Sequence, residues 1–362
     1  MALAPFCSRT VIIFLAAILI VFVISIAWRR NILIPQNLVC QQFGAVAKTV
    51  DGQNGTGSTR NQEKEFLVLV WNWPFGTHFP LDTCLPVHGI PDCRLTADRN
   101  FYNVADAVVM HHADIMYDKK SLPQNPRPHH QSWVWFNMEP PLIIRNLHYL
   151  DNLFNVTMTF RQDSDIVTPY GWIQALKEPQ NVTIPLKTKL VSWVVSQWYP
   201  GAPRIAYYKE LKEHIHIDVY GKGNMKLSRA DLHSTISQYK FYLAFENSIY
   251  KDYITEKLWS NAFGSWAVPV VLGTSRKNYE RFVPAEAFIH VDDFSSPKEL
   301  AAYLLELDKD DEKYRRYFNW RAQYKVWNGK GLDTAYCGIC RYMKQSPFYQ
   351  TIPSIATWFL EH

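Results

Sequence analysis

Apolar and polar positions along the chain fall into distinct regimes. Residues 10–28, TVIIFLAAILIVFVISIAW, are apolar and uncharged, between Arg9 on one side and Arg29 and Arg30 on the other. A run of this length spans a bilayer, and the Trp-Arg-Arg that closes it is not a small-residue cleavage pattern. The expected element is an uncleaved transmembrane signal-anchor, with residues 1–9 as its tail. Across residues 29–62 the periodic apolar positions give way to Gly, Gln, Asn, Ser and Thr, a flexible stem. Buried-strand runs then begin with EFLVLV and continue with ADAVVMHH and QSWVWFNME. From KTKLVSWVVSQW onward strands alternate with helical spacing: RIAYYKELKEHI, HIDVYG, YKFYLAFEN, TEKLWSNAF and AVPVVLG follow one another. A long helical pattern covers residues 295–323, with Ser295 or Ser296 as N-cap and Pro297 at its first position. Strands alternating with helices imply parallel sheets. The chain therefore divides into two doubly wound α/β halves, 63–185 and 186–362, with a cleft between them.

Composition narrows the function. With 48% hydrophobic residues among 362, there is material for one large or two medium cores. The formal net charge of +5 is small and the basic residues are scattered, which speaks against nucleic-acid binding. Neither a P-loop nor G-x-G-x-x-G occurs, so a standard triphosphate or dinucleotide site is not expected. Sequons stand at Asn54, Asn155 and Asn181, the last two beside predicted strands where surface turns are expected. Of the six cysteines, Cys7 and Cys40 flank the anchor, while Cys84, Cys93, Cys337 and Cys340 form two distant pairs. A zinc ribbon is the alternative to disulfides for these four, but ribbon pairs both show two-residue spacing, so disulfides are favoured. Bridges between such distant positions contribute roughly 4 to 5 kcal/mol in the entropic model, and they persist only in oxidising compartments. Anchor, sequons and cysteines agree on a short cytoplasmic tail and a large lumenal or extracellular domain.

Candidate chemistry gathers at the carboxyl ends of predicted strands, where α/β folds bind ligands. In FENSIYKDYITEKLW, residues 245–259, Glu246 and Asn247 emerge from a strand. Thr255 is the expected N-cap, placing Glu256 and Lys257 in a first helical turn suited to a diphosphate. Glu256 could accept from ribose hydroxyls and Tyr253 could stack on a base; the bland alternative is a solvated cap. Arg204 follows another strand and faces the same edge, with a guanidinium matched to phosphate. Glu139 ends an aromatic strand before two prolines, where apolar surroundings raise a carboxyl pKa toward the range of a general base. Asp163-Ser164-Asp165 mimics a metal-binding D-x-D, but acidic turn residues beside a strand are common. His111-His112 and His129-His130 are adjacent pairs rather than zinc spacing, and read as strand-end and loop residues.

These stretches carry a resemblance. FENSIYKDYITEKLWSNAF and AVPVVLG, together with HHADIM, WVWFNMEPP, DSDIVTPYGW, YKFYLAFENS and RFVPAEAFIHVDDF, closely resemble the alpha-1,3-fucosyltransferases of glycosyltransferase family 10, most of all the Lewis-type branch. The likeness runs from about residue 66 to the C-terminus. It implies a GT-B fold of two Rossmann-like domains, the first binding acceptor and the second GDP-fucose, in a type II Golgi membrane protein. The implied reaction is inverting transfer of fucose to the GlcNAc 3-OH, or also the 4-OH, of lactosamine-type glycans on glycoproteins or glycolipids, making Lewis x and sialyl Lewis x structures. By motif Glu139 resembles the base, Arg204 and Lys257 the diphosphate ligands, and Asn247, Tyr253 and Glu256 further donor contacts. The implied bridges are Cys84–Cys337 and Cys93–Cys340. No essential metal is expected, although a divalent cation could stimulate turnover without a dedicated site, and homo-oligomerisation stays open. Ser192 and Tyr239 stand where some members have a further cysteine pair, Gln197 replaces an asparagine, and Ala113 replaces a larger residue associated with acceptor-chain choice. A weak binding protein for GDP-fucose or glycans is the alternative.

Overall fold

The computed structural model describes residues 64–329, 331–346 and 349–361. The signal-anchor, tail and stem, Cys7, Cys40 and the Asn54 sequon lie outside these residues. Among the described residues no helix is long and apolar enough to cross a membrane.

The first sheet contains β1 (Phe66–Val70), β2 (Cys93–Thr96), β3 (Ala107–His111), β4 (Ser132–Asn137), β5 (Val156–Thr159) and β6 (Ile166–Val167), with the short helix α1 (His112–Ile115) directly after β3. All pairings are parallel, in the order β2-β1-β3-β4-β5-β6. Its apolar runs are nearly continuous because both faces are buried. Val68 and Val70, Val109, and Val134 and Phe136 enter one core; Leu69, Val108 and Met110, and Trp133 and Trp135 enter the other.

After β7 (Gly171–Ala175) the second sheet follows: β8 (Lys189–Val194), α2 (Pro203–Leu211), β9 (Asp218–Tyr220), α3 (Leu232–Ile236), β10 (Tyr239–Phe245), β11 (Val268–Leu272), α4 (Arg276–Tyr279) and β12 (Ile289–His290). Its strands are also all parallel, ordered β12-β11-β10-β8-β9. Both sheets thus share one doubly wound order, with the topological switch between β1 and β3 in the first and between β8 and β10 in the second. Ligands of such sheets bind at the carboxyl side of that switch.

The expected helix at 295–323 is broken. α5 (Pro297–Lys309) is capped by Ser296, whose side chain accepts from Glu299 N–H. Asp310 leaves helical geometry at φ −124°, ψ 88° and caps α6 (Asp311–Arg316) in turn. β13 (Tyr324–Asn328) pairs antiparallel with β7. The chain then ends with α7 (Leu332–Gln345) and α8 (Ile355–Leu360).

A division at residue 185 groups these last helices with the second half, whereas their packing is with the first. α7 buries Ala335, Tyr336 and Ile339 against β1, β3 and β4, and α8 buries Ile355, Ala356 and Phe359 on the opposite face. Two disulfides, Cys84–Cys337 and Cys93–Cys340, fasten α7 there. At the sites of the absent bridge, the Tyr239 hydroxyl lies 2.6 Å from Asp218 and 2.7 Å from the Tyr220 hydroxyl.

The sequons differ from one another. Asn181 is exposed. Asn155 is 1% exposed, not on a surface turn: its Oδ1 accepts from Trp133 N–H at 2.8 Å and its Nδ2 donates to Gln350 O at 2.6 Å. That amide is enclosed because it joins β4 to the C-terminal segment.

Candidate active site

In the second sheet, β10 delivers Glu246 at its carboxyl end with 2% exposure. Oε1 accepts Thr255 N–H at 2.8 Å, and Oε2 accepts the Thr255 hydroxyl at 2.9 Å and lies 3.1 Å from Lys257 Nζ. The ammonium is also 3.1 Å from Glu256 and 2.8 Å from Thr255 Oγ1. Burial alone would lower the Lys257 pKa, but Glu246 and Glu256 hold it above the ordinary lysine range. Thr255 therefore holds Glu246 and the Lys257 ammonium while also capping the helix that follows, its carbonyl accepting Trp259 N–H at 3.3 Å and its Oγ1 accepting Lys257 N–H at 3.5 Å. The following element is a π-helix, Lys257–Phe263, where an ordinary helix was expected. Trp259 from this helix packs against Gly171, where a Cβ would lie 2.4 Å from its Cγ.

Arg204, in the first turn of α2, is 4% exposed. Nη2 donates to Gln197 O at 2.7 Å and Nη1 to Phe245 O at 3.5 Å, while buried Nε has no partner. Burial lowers its pKa, against the pull of Glu246 and Glu256. A buried guanidinium bonded only to carbonyls retains charge for an anion. Asn247 Oδ1 and Ser248 Oγ nearby are likewise buried without partners. Tyr253 does not present a face for stacking. It is 3% exposed, with its ring among Phe160 at 5.2 Å and Tyr170 at 6.1 Å.

In the first sheet, Glu139 follows β4 and is half-buried. Burial raises its pKa, against the opposing influence of His111 and Lys257. Asn137, fully buried, grips its backbone: Oδ1 accepts Glu139 N–H at 3.2 Å and Nδ2 donates to Glu139 O at 2.7 Å. Tyr170 donates to the adjoining Met138 O at 2.5 Å. Tyr170 links the two carboxyl edges, its hydroxyl on Met138 O and its ring 6.1 Å from that of Tyr253. Ala113 sits half-buried in α1, beside the same edge.

Sequence reasoning missed Glu246 as the anchor of Lys257, Asn137 as the clamp on Glu139, and the burial of His111. Their partners are set by tertiary contact, although Glu246 shares the strand-end signal of its neighbours. The discounted acidic pair is engaged internally: Asp163 binds Arg161 and Asp165 accepts from Thr157. His129 and His130 are exposed on a loop.

Two doubly wound parallel sheets, with a carboxylate at the carboxyl edge of one and enclosed cations at that of the other, define a GT-B-like glycosyltransferase. Crystal structures described as alpha1,3-fucosyltransferase with GDP-fucose and with GDP share this fold. The first has a TM-score of 0.54 at 19% identity, covering 83% of this chain and 96% of that one. The second has 0.52 at 17% identity, covering 81% and 93%. The chain belongs to the glycosyltransferase family 10 fucosyltransferases: residues 63–171 match the fucosyltransferase N-terminal model, and residues 184–358 match the glycosyltransferase family 10 (fucosyltransferase) C-terminal model. It is 52% identical over 301 residues to 3-galactosyl-N-acetylglucosaminide 4-alpha-L-fucosyltransferase FUT3 of Pan troglodytes, covering 81% of this chain and 80% of that one. It is 51% identical over 300 residues to 4-galactosyl-N-acetylglucosaminide 3-alpha-L-fucosyltransferase FUT5 of Homo sapiens, covering 81% and 79%. Human FUT3 aligns over 353 residues at 47% identity, covering 92% and 96%.

Proposed function

We propose that the protein transfers L-fucose, with inversion, from GDP-β-L-fucose to the 3-OH, and secondarily the 4-OH, of GlcNAc in lactosamine-type glycans, giving Lewis x and sialyl Lewis x products. The observation that carries this reading is the half-buried carboxylate Glu139, held by Asn137 at the carboxyl edge of the first sheet, together with Lys257 and Arg204, held at that of the second. Glu139 takes the proton of the attacking hydroxyl as the anomeric carbon gains oxocarbenium character. The new C–O bond forms opposite the breaking bond to GDP, whose departing charge is met by Lys257 and Arg204. Asn247, Glu256 and the Tyr253 hydroxyl complete the donor site, and Ala113 lies on the acceptor side. Charge stabilisation by two buried cations supports turnover without an essential metal. Residues 10–28 anchor the chain as a single-pass type II Golgi membrane protein with the described residues in the lumen.

The test uses detergent-solubilised full-length chain with GDP-fucose and matched type 1 and type 2 disaccharides, with EDTA present. The expected outcome is a fucosylated type 2 product whose linkage NMR reads as α1,3. Absence of transfer to either acceptor, with GDP-fucose still bound, sinks the reading.

A further inference from the structure

The carboxyl end of β3 carries a histidine that the transfer step above leaves unused. His111 has no exposed surface. Its Nδ1 lies 2.6 Å from Asp114 Oδ2, and that oxygen also accepts from Asn72 Nδ2 and Phe75 N–H, both at 3.1 Å. Asn72 grips the His111 backbone as well, accepting its N–H at 3.1 Å and donating to its carbonyl at 3.3 Å. Phe75 sets its ring edge-on to the imidazole at 4.6 Å. It does so from φ 50°, a left-handed conformation that a bulky residue holds only where its surroundings over-determine it. The remaining ring nitrogen, Nε2, is buried and has no hydrogen-bond partner. His112 next to it is different: its Nε2 meets Arg145 O at 3.0 Å and its Nδ1 meets Trp135 Nε1 at 3.2 Å. One histidine is satisfied as a core residue, while the other is fixed on every side except its second nitrogen.

We propose that His111 receives the proton that Glu139 collects, so that Glu139, His111 and Asp114 form a relay. The inference rests on the fucosyl-transfer reading and deepens it. With Nδ1–H donated to Asp114, Nε2 carries the lone pair. β3 and β4 are adjacent and in register at His111 and Phe136, three residues before Glu139. As the hydroxyl attacks, its O–H bond breaks and a proton joins Glu139. The Glu139 side chain then swings onto Nε2, the carboxyl O–H breaks and an N–H forms. The carboxylate is restored, and the imidazolium is stabilised by Asp114 until, after transfer, it hands the proton back to half-exposed Glu139, which releases it to water. The titratable groups facing His111 are Asp114 and His112 on α1 and Glu139 beyond β4. An unpartnered buried nitrogen at the end of the strand next to the one that carries the base is accounted for by this role.

The test compares full-length wild type with His111→Gln, which cannot take up a proton, and Asp114→Asn, which loses the tautomer lock at nearly constant volume. Melting temperature, both KM values, and kcat from pH 5 to 9 in light and heavy water are measured. The relay requires kcat to fall about 100-fold in His111→Gln and about 10-fold in Asp114→Asn, KM values to stay within about twofold, and the acid limb of kcat and the solvent isotope effect to change. Active wild type beside a His111→Gln enzyme with unchanged kcat and pH profile overturns the relay alone. If His111→Gln folds poorly, an Asp114→Asn enzyme that melts normally with unchanged kcat and isotope effect overturns it equally. Wild type that transfers no fucose overturns the transfer reading, and the relay with it.

Discussion

Arg161 donates from Nη1 to the Tyr250 hydroxyl at 2.9 Å, joining the end of β5 to the polar loop after β10. The guanidinium is wholly buried, and Nη1 also reaches Trp358 O at 2.7 Å while Tyr250 donates to Phe359 O. Its Nε and Nη2 fork onto Asp163. One side chain therefore holds the donor-side loop, the first sheet and α8 in one arrangement. Arg161→Lys keeps the charge and loses the fork. The expected result is a lower melting temperature, by an amount equivalent to about 3 kcal/mol, and raised KM for GDP-fucose. Calorimetry and initial rates check it.

The same ion pair sets an acid limit. The Arg161 hydrogen bond holds the folded-state Asp163 pKa down to about 2, below the ordinary aspartate value of 3.8. Its folded value is depressed, so the pair's contribution is complete above about pH 3.8 and is lost as pH falls through about 2. Melting temperatures of wild type and Asp163→Asn should converge across that window and stay parallel above it.

For Glu139 the sign concerns activity. The base must be ionised, and burial raises its pKa, so kcat should climb with pH through a limb lying above the ordinary carboxylate range. Glu139→Gln should lose about 10²- to 10⁴-fold in kcat, keep GDP-fucose affinity and show no such limb. Stopped transfer assays over pH with parallel donor titrations give the answer.

Glu246 and Lys257 separate stability from donor binding. Glu246→Gln leaves a buried ammonium with a weakened partner and should destabilise by about 3 kcal/mol. Lys257→Met removes the charge, relieving that mismatch in the double variant while abolishing donor affinity. A double-mutant cycle in melting, beside GDP binding by calorimetry, distinguishes them.

Reduction tests the bridges. Replacing Cys84 and Cys337 together by serine should cost about 2–5 kcal/mol and shift melting only under non-reducing conditions.

Strand segments were legible where burial on both faces made them continuously apolar, as in β1, β3, β4, β10 and β11. β2, β7 and β13 were not, because short strands with polar residues on one face lack that signal. α7 escaped notice although its buried residues Ala335, Tyr336, Cys337, Ile339 and Cys340 follow helical spacing, because Gly338 in its middle and two cysteines lower the helical signal. Glu139, Arg204 and Lys257 could be singled out because a strand end announces itself. The Glu246 clamp and the enclosure of Tyr253 by Phe160 and Tyr170 depend on partners 83 or more residues apart or on a nine-residue return of the chain, which no local pattern encodes.

The packing of α7 and α8 against opposite faces of the first sheet also dictates an order of synthesis. β1 leaves the ribosome early, but part of each layer that covers its sheet, α7 on one face and α8 on the other, is encoded after the whole second sheet. During translation the earlier half must therefore wait with apolar faces only partly covered and with unpaired thiols at Cys84 and Cys93, whose partners emerge about 250 residues later.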